Sequence, residues 1–140
     1  MAEYLFLSRL APNSPWTAGS AGLSAVDGIA ASRTAIEVMD EIGINIRKHQ
    51  SRELTSELLD EATIILVMTG AQAAELKQRF PKARDRVYLL GSFNKNEKEK
   101  EISDPVSSGL EIYRRTLNDI VGCLDGLIRY LQAFQENKHR

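Results

Sequence analysis

The sequence predicts an α/β domain, a three-layer sandwich with a mainly parallel sheet, and three observations carry that prediction. Ile64-Ile65-Leu66-Val67-Met68 is apolar and β-branched with no polar alternation, the pattern of a strand covered on both faces. Thr69 and Gln72 place a capping box for a helix directly behind it. Predicted strands and amphipathic helices then alternate, which implies right-handed crossovers and helices on both sides of the sheet.

The elements follow in order. Ala2 to Leu10 sets Leu5, Phe6 and Leu10 at helical spacing, but no Ser, Thr, Asp or Asn precedes it to satisfy the first-turn N–H groups. Pro12 to Pro15 breaks the chain. Trp16 to Gly22, rich in small residues, reads as a short extended piece where another backbone approaches closely. Ser32 to Ile42 is a helix with Ile36, Met39 and Ile42 on one face, ended by Gly43. Another helix starts at Thr55, with Leu54 and Leu59 as a hydrophobic staple.

After the buried strand, the helix begun by Thr69 turns Ala73, Leu76 and Phe80 inward, and Pro81 stops it. Val87 to Leu90 is a second strand. Asn94 to Glu101 is a charged run that reads as a solvated loop. The last helix is the most regular element. Ser108 and Glu111 form its expected capping box, and Tyr113, Leu117, Ile120, Leu124, Leu127, Ile128 and Leu131 form its seam. Neither a repeat nor a linker interrupts the 140 residues, so a single domain is expected over 1–140.

Composition narrows the function classes. With 18 basic and 19 acidic residues the net charge is −1, which gives no electrostatic case for nucleic acid or an anionic membrane. The longest apolar runs are far too short to span a bilayer, and the first residues lack the form of a secretory signal. A cytoplasmic location is therefore expected. The only cysteine, Cys123, excludes an internal disulfide and a Cys-rich zinc site. His49 lies in an inter-helix loop and His139 in a charged tail, neither near a second ligand, so no metal and no cofactor are assigned.

Several stretches, taken in order, carry more information than any one alone: Met1-Ala-Glu, Ser20-Ala-Gly22, Glu41-Ile-Gly-Ile44, His49-Gln-Ser-Arg52, Leu54-Thr55 with Glu57-Leu-Leu59, Ile65-Leu-Val-Met-Thr69, Leu89-Leu-Gly-Ser92, Asp104-Pro105 and Glu111-Ile-Tyr-Arg114. In this order and spacing they resemble the low-molecular-weight protein-tyrosine-phosphatases, and the overall pattern is similar to the bacterial members.

The resemblance implies phosphomonoester hydrolysis through a phosphocysteine. A thiolate at a helix N-terminus attacks phosphorus while loop amides and an arginine hold the phosphoryl oxygens. An aspartic acid protonates the leaving group and then activates water. It also implies that the strand and the Cys-x5-Arg-Ser-Pro loop stand immediately before Met-Ala-Glu. The expectation is therefore that the central first strand, the nucleophile and the arginine are absent from these residues, while Asp104 is the surviving general acid. Asp104-Pro105 is otherwise an ordinary turn dipeptide. Ser20 matches a small polar residue that supports the phosphate loop, or is a plain turn serine. Val106 stands where the family usually has an aromatic wall, which puts specificity for an aryl phosphate in question.

Cys123-Leu-Asp-Gly-Leu-Ile-Arg129 also fits Cys-x5-Arg, but inside the last helix. Six helical residues separate the two groups by about 9 Å of rise and about 240° of rotation, so they cannot converge on one phosphate. The related arsenate reductases need further cysteines that this chain does not have.

Losing a central strand removes burial comparable to a domain's whole net stability. The open slot is expected to be filled by a partner chain, as in a homo-oligomer, closed by its neighbouring strands, or left as an aggregation-prone edge. Three readings stay open: a phosphatase of phosphorylated proteins whose true start lies upstream, a non-catalytic paralogue acting as a protein-binding or assembly module, and an unrelated α/β binding protein.

Overall fold

The structure is a computed structural model that describes residues 1–96 and 100–138. The chain is α/β with a parallel sheet, and its described residues fall into two compact units. The first comprises Met1–Ala62 and Pro105–Leu117, the second Thr63–Asp104 and Asn118–Arg140.

In the first unit, helix α1 (Ala2–Arg9) starts at Met1 without a side-chain cap and buries Leu5 and Phe6. The extended piece ending at Gly22 meets residues 52–54: Gly22 N donates to Arg52 O, and Leu54 N donates to Gly22 O, both at 2.9 Å. An isolated parallel bridge joins Gly22 to Glu53, and an antiparallel one joins Ala30 to Gln50.

Helix α2 (Arg33–Glu41) is capped by Ser32, whose Oγ accepts from Ala35 N at 3.2 Å. Its buried stripe is Ala35, Val38 and Met39 rather than the expected Ile36, Met39 and Ile42. Ile42 is 47% exposed because it is the C-cap, where the backbone leaves helical geometry before Gly43 turns through φ +78°. Helix α3 (Ser56–Glu61) is capped by Thr55, with Leu59 buried.

The second unit holds both named strands. β1 (Ile65–Val67) pairs in parallel with β2 (Val87–Leu89), Ile65 opposite Val87 and Val67 opposite Leu89. Between them runs α4 (Gly70–Arg79), begun by the full Thr69–Gln72 capping box. Of the three residues expected inward, Leu76 is fully buried, while Ala73 and Phe80 are half-buried. Phe80 is the helix C-cap, and the Arg79 guanidinium stands 5.4 Å from its ring centre. Pro81 opens a 3-10 turn that delivers the chain to β2, and Leu90 already belongs to the 3-10 turn after that strand.

Helix α5 (Leu110–Lys138) contributes to both units. It starts later than the Ser108–Glu111 capping box requires. Leu110 is its first residue, so Gly109 takes the cap position, and the Gly109 carbonyl accepts from Tyr113 N at 3.2 Å. Ser108 lies one step outside because its own N–H closes a turn onto Pro105 O. Tyr113, Leu117, Ile120, Cys123, Leu124, Leu127 and Leu131 are buried, whereas Ile128 is half-buried. No helix among the described residues is long and apolar enough to cross a membrane.

Candidate active site

The first unit gathers three of the motif stretches at the start of α1. Ser20 is exposed and held at both ends: its Oγ donates to Glu3 Oε1 at 2.5 Å, and its carbonyl accepts from Arg52 Nε at 2.9 Å. The Arg52 guanidinium lies so close to Gly19 that a Cβ there would meet Nη2 at 2.5 Å. One position along α1, Tyr4 packs edge-on against His49, with ring centres 5.6 Å apart. Met1-Ala-Glu, Ser20-Ala-Gly22 and His49-Gln-Ser-Arg52 therefore form one polar cluster. Burial lowers the α-amino group of Met1 from its ordinary value, with Glu3 pulling the other way.

Asp104 belongs to the second unit, at the end of a segment tied down residue by residue. Lys100 Nζ reaches Asp119 Oδ1 at 3.0 Å, and Glu101 Oε1 accepts from Gly70 N at 2.6 Å, in the first turn of α4. Ile102 is 2% exposed, and its N–H donates to Met68 O at 2.9 Å, just past β1. Behind this segment sits Gly91, whose added Cβ would lie 1.6 Å from the Lys100 carbonyl oxygen. Asp104 follows two residues after Ile102 and is exposed. Beyond it, Val106 is 64% exposed and Ser107 adopts φ +62°, a left-handed conformation that costs a non-glycine residue energy.

The charged run is thus a solvated loop only in part. Lys100 and Glu101 are engaged in unit 2, while Glu97, Lys98 and Glu99 lie outside the described residues.

Cys123 is 1% exposed, and its thiol donates to the Asp119 carbonyl at 3.2 Å, one helical turn back. Burial pushes this thiol up, Asp119 adds to the rise, and Lys100 opposes it. Arg129 is exposed on the same helix, six residues on, so the two do not form a phosphate cradle. Among the described residues no group of three or more His, Cys, Asp or Glu side chains is placed to hold a metal, and His139 lies outside them. A cavity of about 260 Å³ in the second unit, walled by Tyr88, Tyr130 and Phe134, shares no residue with the Asp104 segment.

The family model described as low molecular weight phosphotyrosine protein phosphatase matches residues 1–139. This chain belongs to that phosphatase family. The chain is similar to the probable low molecular weight protein-tyrosine-phosphatase EpsP of Ralstonia nicotianae, 34% identical over 114 residues, 81% of this chain and 76% of that protein. It is equally similar to a protein-arginine-phosphatase of Geobacillus stearothermophilus, 34% identical over 116 residues, 83% of this chain and 77% of that one. Among solved structures, the YwlE arginine phosphatase from G. stearothermophilus superposes with a TM-score of 0.87 at 32% identity, covering 99% of this chain and 88% of that chain. A low molecular weight protein tyrosine phosphatase from T. tengcongensis gives 0.84 at 32% identity, over 92% of this chain and 88% of that one.

The chain carries Asp104-Pro105, with Asp104 exposed, and its single cysteine, Cys123, is buried. Sequence reasoning singled out Asp104 and Ser20 as candidates but did not foresee the contacts around Ser20 or in the segment before Asp104. Glu3 and Arg52 were legible as motif letters without a role. Lys100 and Glu101 were hidden in the charged run, because their partners lie 19 and 31 residues away.

Proposed function

We propose that this chain forms the frame and proton-donor side of a protein phosphatase that works through a phosphocysteine, and that residues 1–140 alone do not turn over phosphate esters. The observation that carries the second clause is the state of the only thiol. Cys123 is buried in α5 with its pKa raised, the reverse of the exposed, low-pKa thiolate the reaction needs. The chemistry requires a Cys-x5-Arg loop that these residues do not offer in a usable place.

In this reading Asp104 protonates the leaving group as the phosphorus–oxygen or phosphorus–nitrogen bond breaks, then takes a proton from the water that cleaves the phosphocysteine. Ser20, held by hydrogen bonds to Glu3 and Arg52, is the residue that would support the phosphate loop. The substrate class is a phosphorylated side chain of a protein, and the cytoplasm is the compartment. The relatives named as tyrosine and arginine phosphatases support that class without choosing between its members.

A second reading is favoured by Val106. An exposed aliphatic residue in place of an aromatic wall suits a non-catalytic module that binds a partner or assembles with its own copy. The test uses p-nitrophenyl phosphate with this 140-residue chain and its Cys123→Ser variant. No turnover is expected from either. Turnover that disappears in Cys123→Ser would make the helical thiol the nucleophile and end the proposal.

A further inference from the structure

We infer that the second unit carries a docking site for an acidic protein segment, in which Lys82 and Arg84 meet the partner's carboxylates and the cavity beside Tyr88, Tyr130 and Phe134 takes one large apolar side chain. The site does not depend on Asp104 acting as a proton donor. Charge is unevenly spread along this chain. Between Lys77 and Arg86 it places five cations against one carboxylate, a local charge of +4 in a protein whose total is −1. Lys77 and Arg79 stand in the last turn of α4, where the helix dipole favours cations, and Arg79 pairs with Glu75 at 2.9 Å. The helix end does not account for Lys82 and Arg84, which are exposed on the following 3-10 turn, Pro81–Arg86. Like charges so gathered repel one another and attract an acidic partner.

That turn runs straight into the cavity. Asp85 and Arg86, just before β2, line it together with Thr63 and Ile64, just before β1. Its aromatic wall is open to solvent, with Tyr88, Tyr130 and Phe134 respectively 37%, 38% and 40% exposed. The ring centres of Tyr88 and Tyr130 are 6.0 Å apart, and Phe93 packs on both, at 6.5 and 5.4 Å, so this wall is preformed. At about 260 Å³ the cavity is smaller than the roughly 300–1,000 Å³ that encloses a whole small-molecule ligand, and it suits a single anchoring side chain. Tyrosine and arginine are the residues enriched around such anchors at protein interfaces. The cavity lies at the N-terminal ends of both strands, whereas Met68, which accepts from Ile102 N, follows the opposite end of β1.

The experiment selects random twelve-residue peptides, displayed on phage, against the full 140-residue chain. The recovered peptides are expected to carry several Asp or Glu around one Trp, Phe or Leu, and a fluorescein-labelled copy is then titrated by anisotropy. Replacing the anchor with Ala in the peptide, Phe134→Ala in the chain, and Lys82→Glu together with Arg84→Glu should each weaken binding about tenfold or more. Raising sodium chloride from about 50 to about 300 mM should weaken it about fivefold. Circular dichroism and urea unfolding check that the variants keep the parent fold, and the peptide substitution tests the cavity without altering the chain. The proposal is overturned if selection returns no acidic consensus, or if the anchorless peptide or the charge-reversed chain binds as well as the parent pair. It is equally overturned if a twelve-nucleotide RNA binds the strip more tightly than the peptide. Self-association of the chain that Phe134→Ala abolishes would assign the surface to a second copy and end it too.

Discussion

The thiol of Cys123 donates a hydrogen bond to the carbonyl of Asp119, and almost none of its surface meets solvent. A thiol so placed exchanges slowly with any reagent, since reaction must wait for local opening of α5. The native chain should react with an aromatic disulfide ~100-fold or more slowly than the urea-unfolded chain, followed by release of the coloured thiol. Equal rates would show that the helix does not shield it. The raised pKa also has a sign in stability. The contribution is complete below the ordinary thiol value of 9.0 and is lost as pH rises beyond it, so melting temperature should fall on the alkaline side less steeply in Cys123→Ala.

Glu41 and Arg114 meet through two hydrogen bonds, at 2.9 and 2.6 Å, within the first unit. The hydrogen bonds from Arg114 hold the Glu41 carboxyl below its ordinary value of 4.5. A carboxylate with a lowered folded-state pKa adds stability above the unfolded value, and that stability disappears as pH drops through the folded one. Arg114→Met should therefore lower the melting temperature slightly at neutral pH and flatten the acid limb, so that the two profiles converge as pH falls below 4.5. Both side chains are nearly half exposed, so the difference should shrink in high salt.

Thr69 and Gln72 satisfy each other's backbone donors at the start of α4. Gln72 N donates to Thr69 Oγ1 at 3.2 Å, and Gln72 Oε1 accepts from Met68 N at 2.8 Å and Thr69 N at 3.3 Å. Thr69→Ala should cost about 1 kcal/mol in urea unfolding. A double-mutant cycle with Gln72→Ala should give a coupling of about 0.5 kcal/mol or more. Additive losses would mean the two caps act independently.

Leu124 is 1% exposed in the middle of α5. Leu124→Ala should lose about 2–5 kcal/mol, the range for a buried leucine that leaves a cavity. A loss under about 1 kcal/mol, measured by chemical unfolding, would place this seam position at a surface rather than in a core.

The helices and their caps were the legible part of this fold, because a cap and its helix are neighbours in sequence. Ser32, Thr55 and Thr69 each cap the helix they precede. Reading failed by small displacements where two local signals competed. At α5, Ser108 was the better capping residue, yet the turn at Pro105 used its N–H and left Gly109 in the role. At α2, Ile42 continued the apolar spacing, but Gly43 had already begun to unwind the helix. Asp104 and Ser20 could be picked out as candidates by type and order. The long-range contacts of the segments that carry them could not, because Glu3 lies 17 residues from Ser20 and Glu101 lies 31 from Gly70. Pairings over such distances leave no periodic trace.

The approach of the Lys100 carbonyl to Gly91 also governs how such a chain can drift over generations. Position 91 is closed to every residue with a side chain unless the neighbouring backbone moves, and moving it dislodges the residues leading to Asp104. Nearby Lys95 and Asn96, exposed and past the turn, are free of that restriction. A library randomised over 91–96 and selected for folding should therefore return a single letter at its first position and many at its last two.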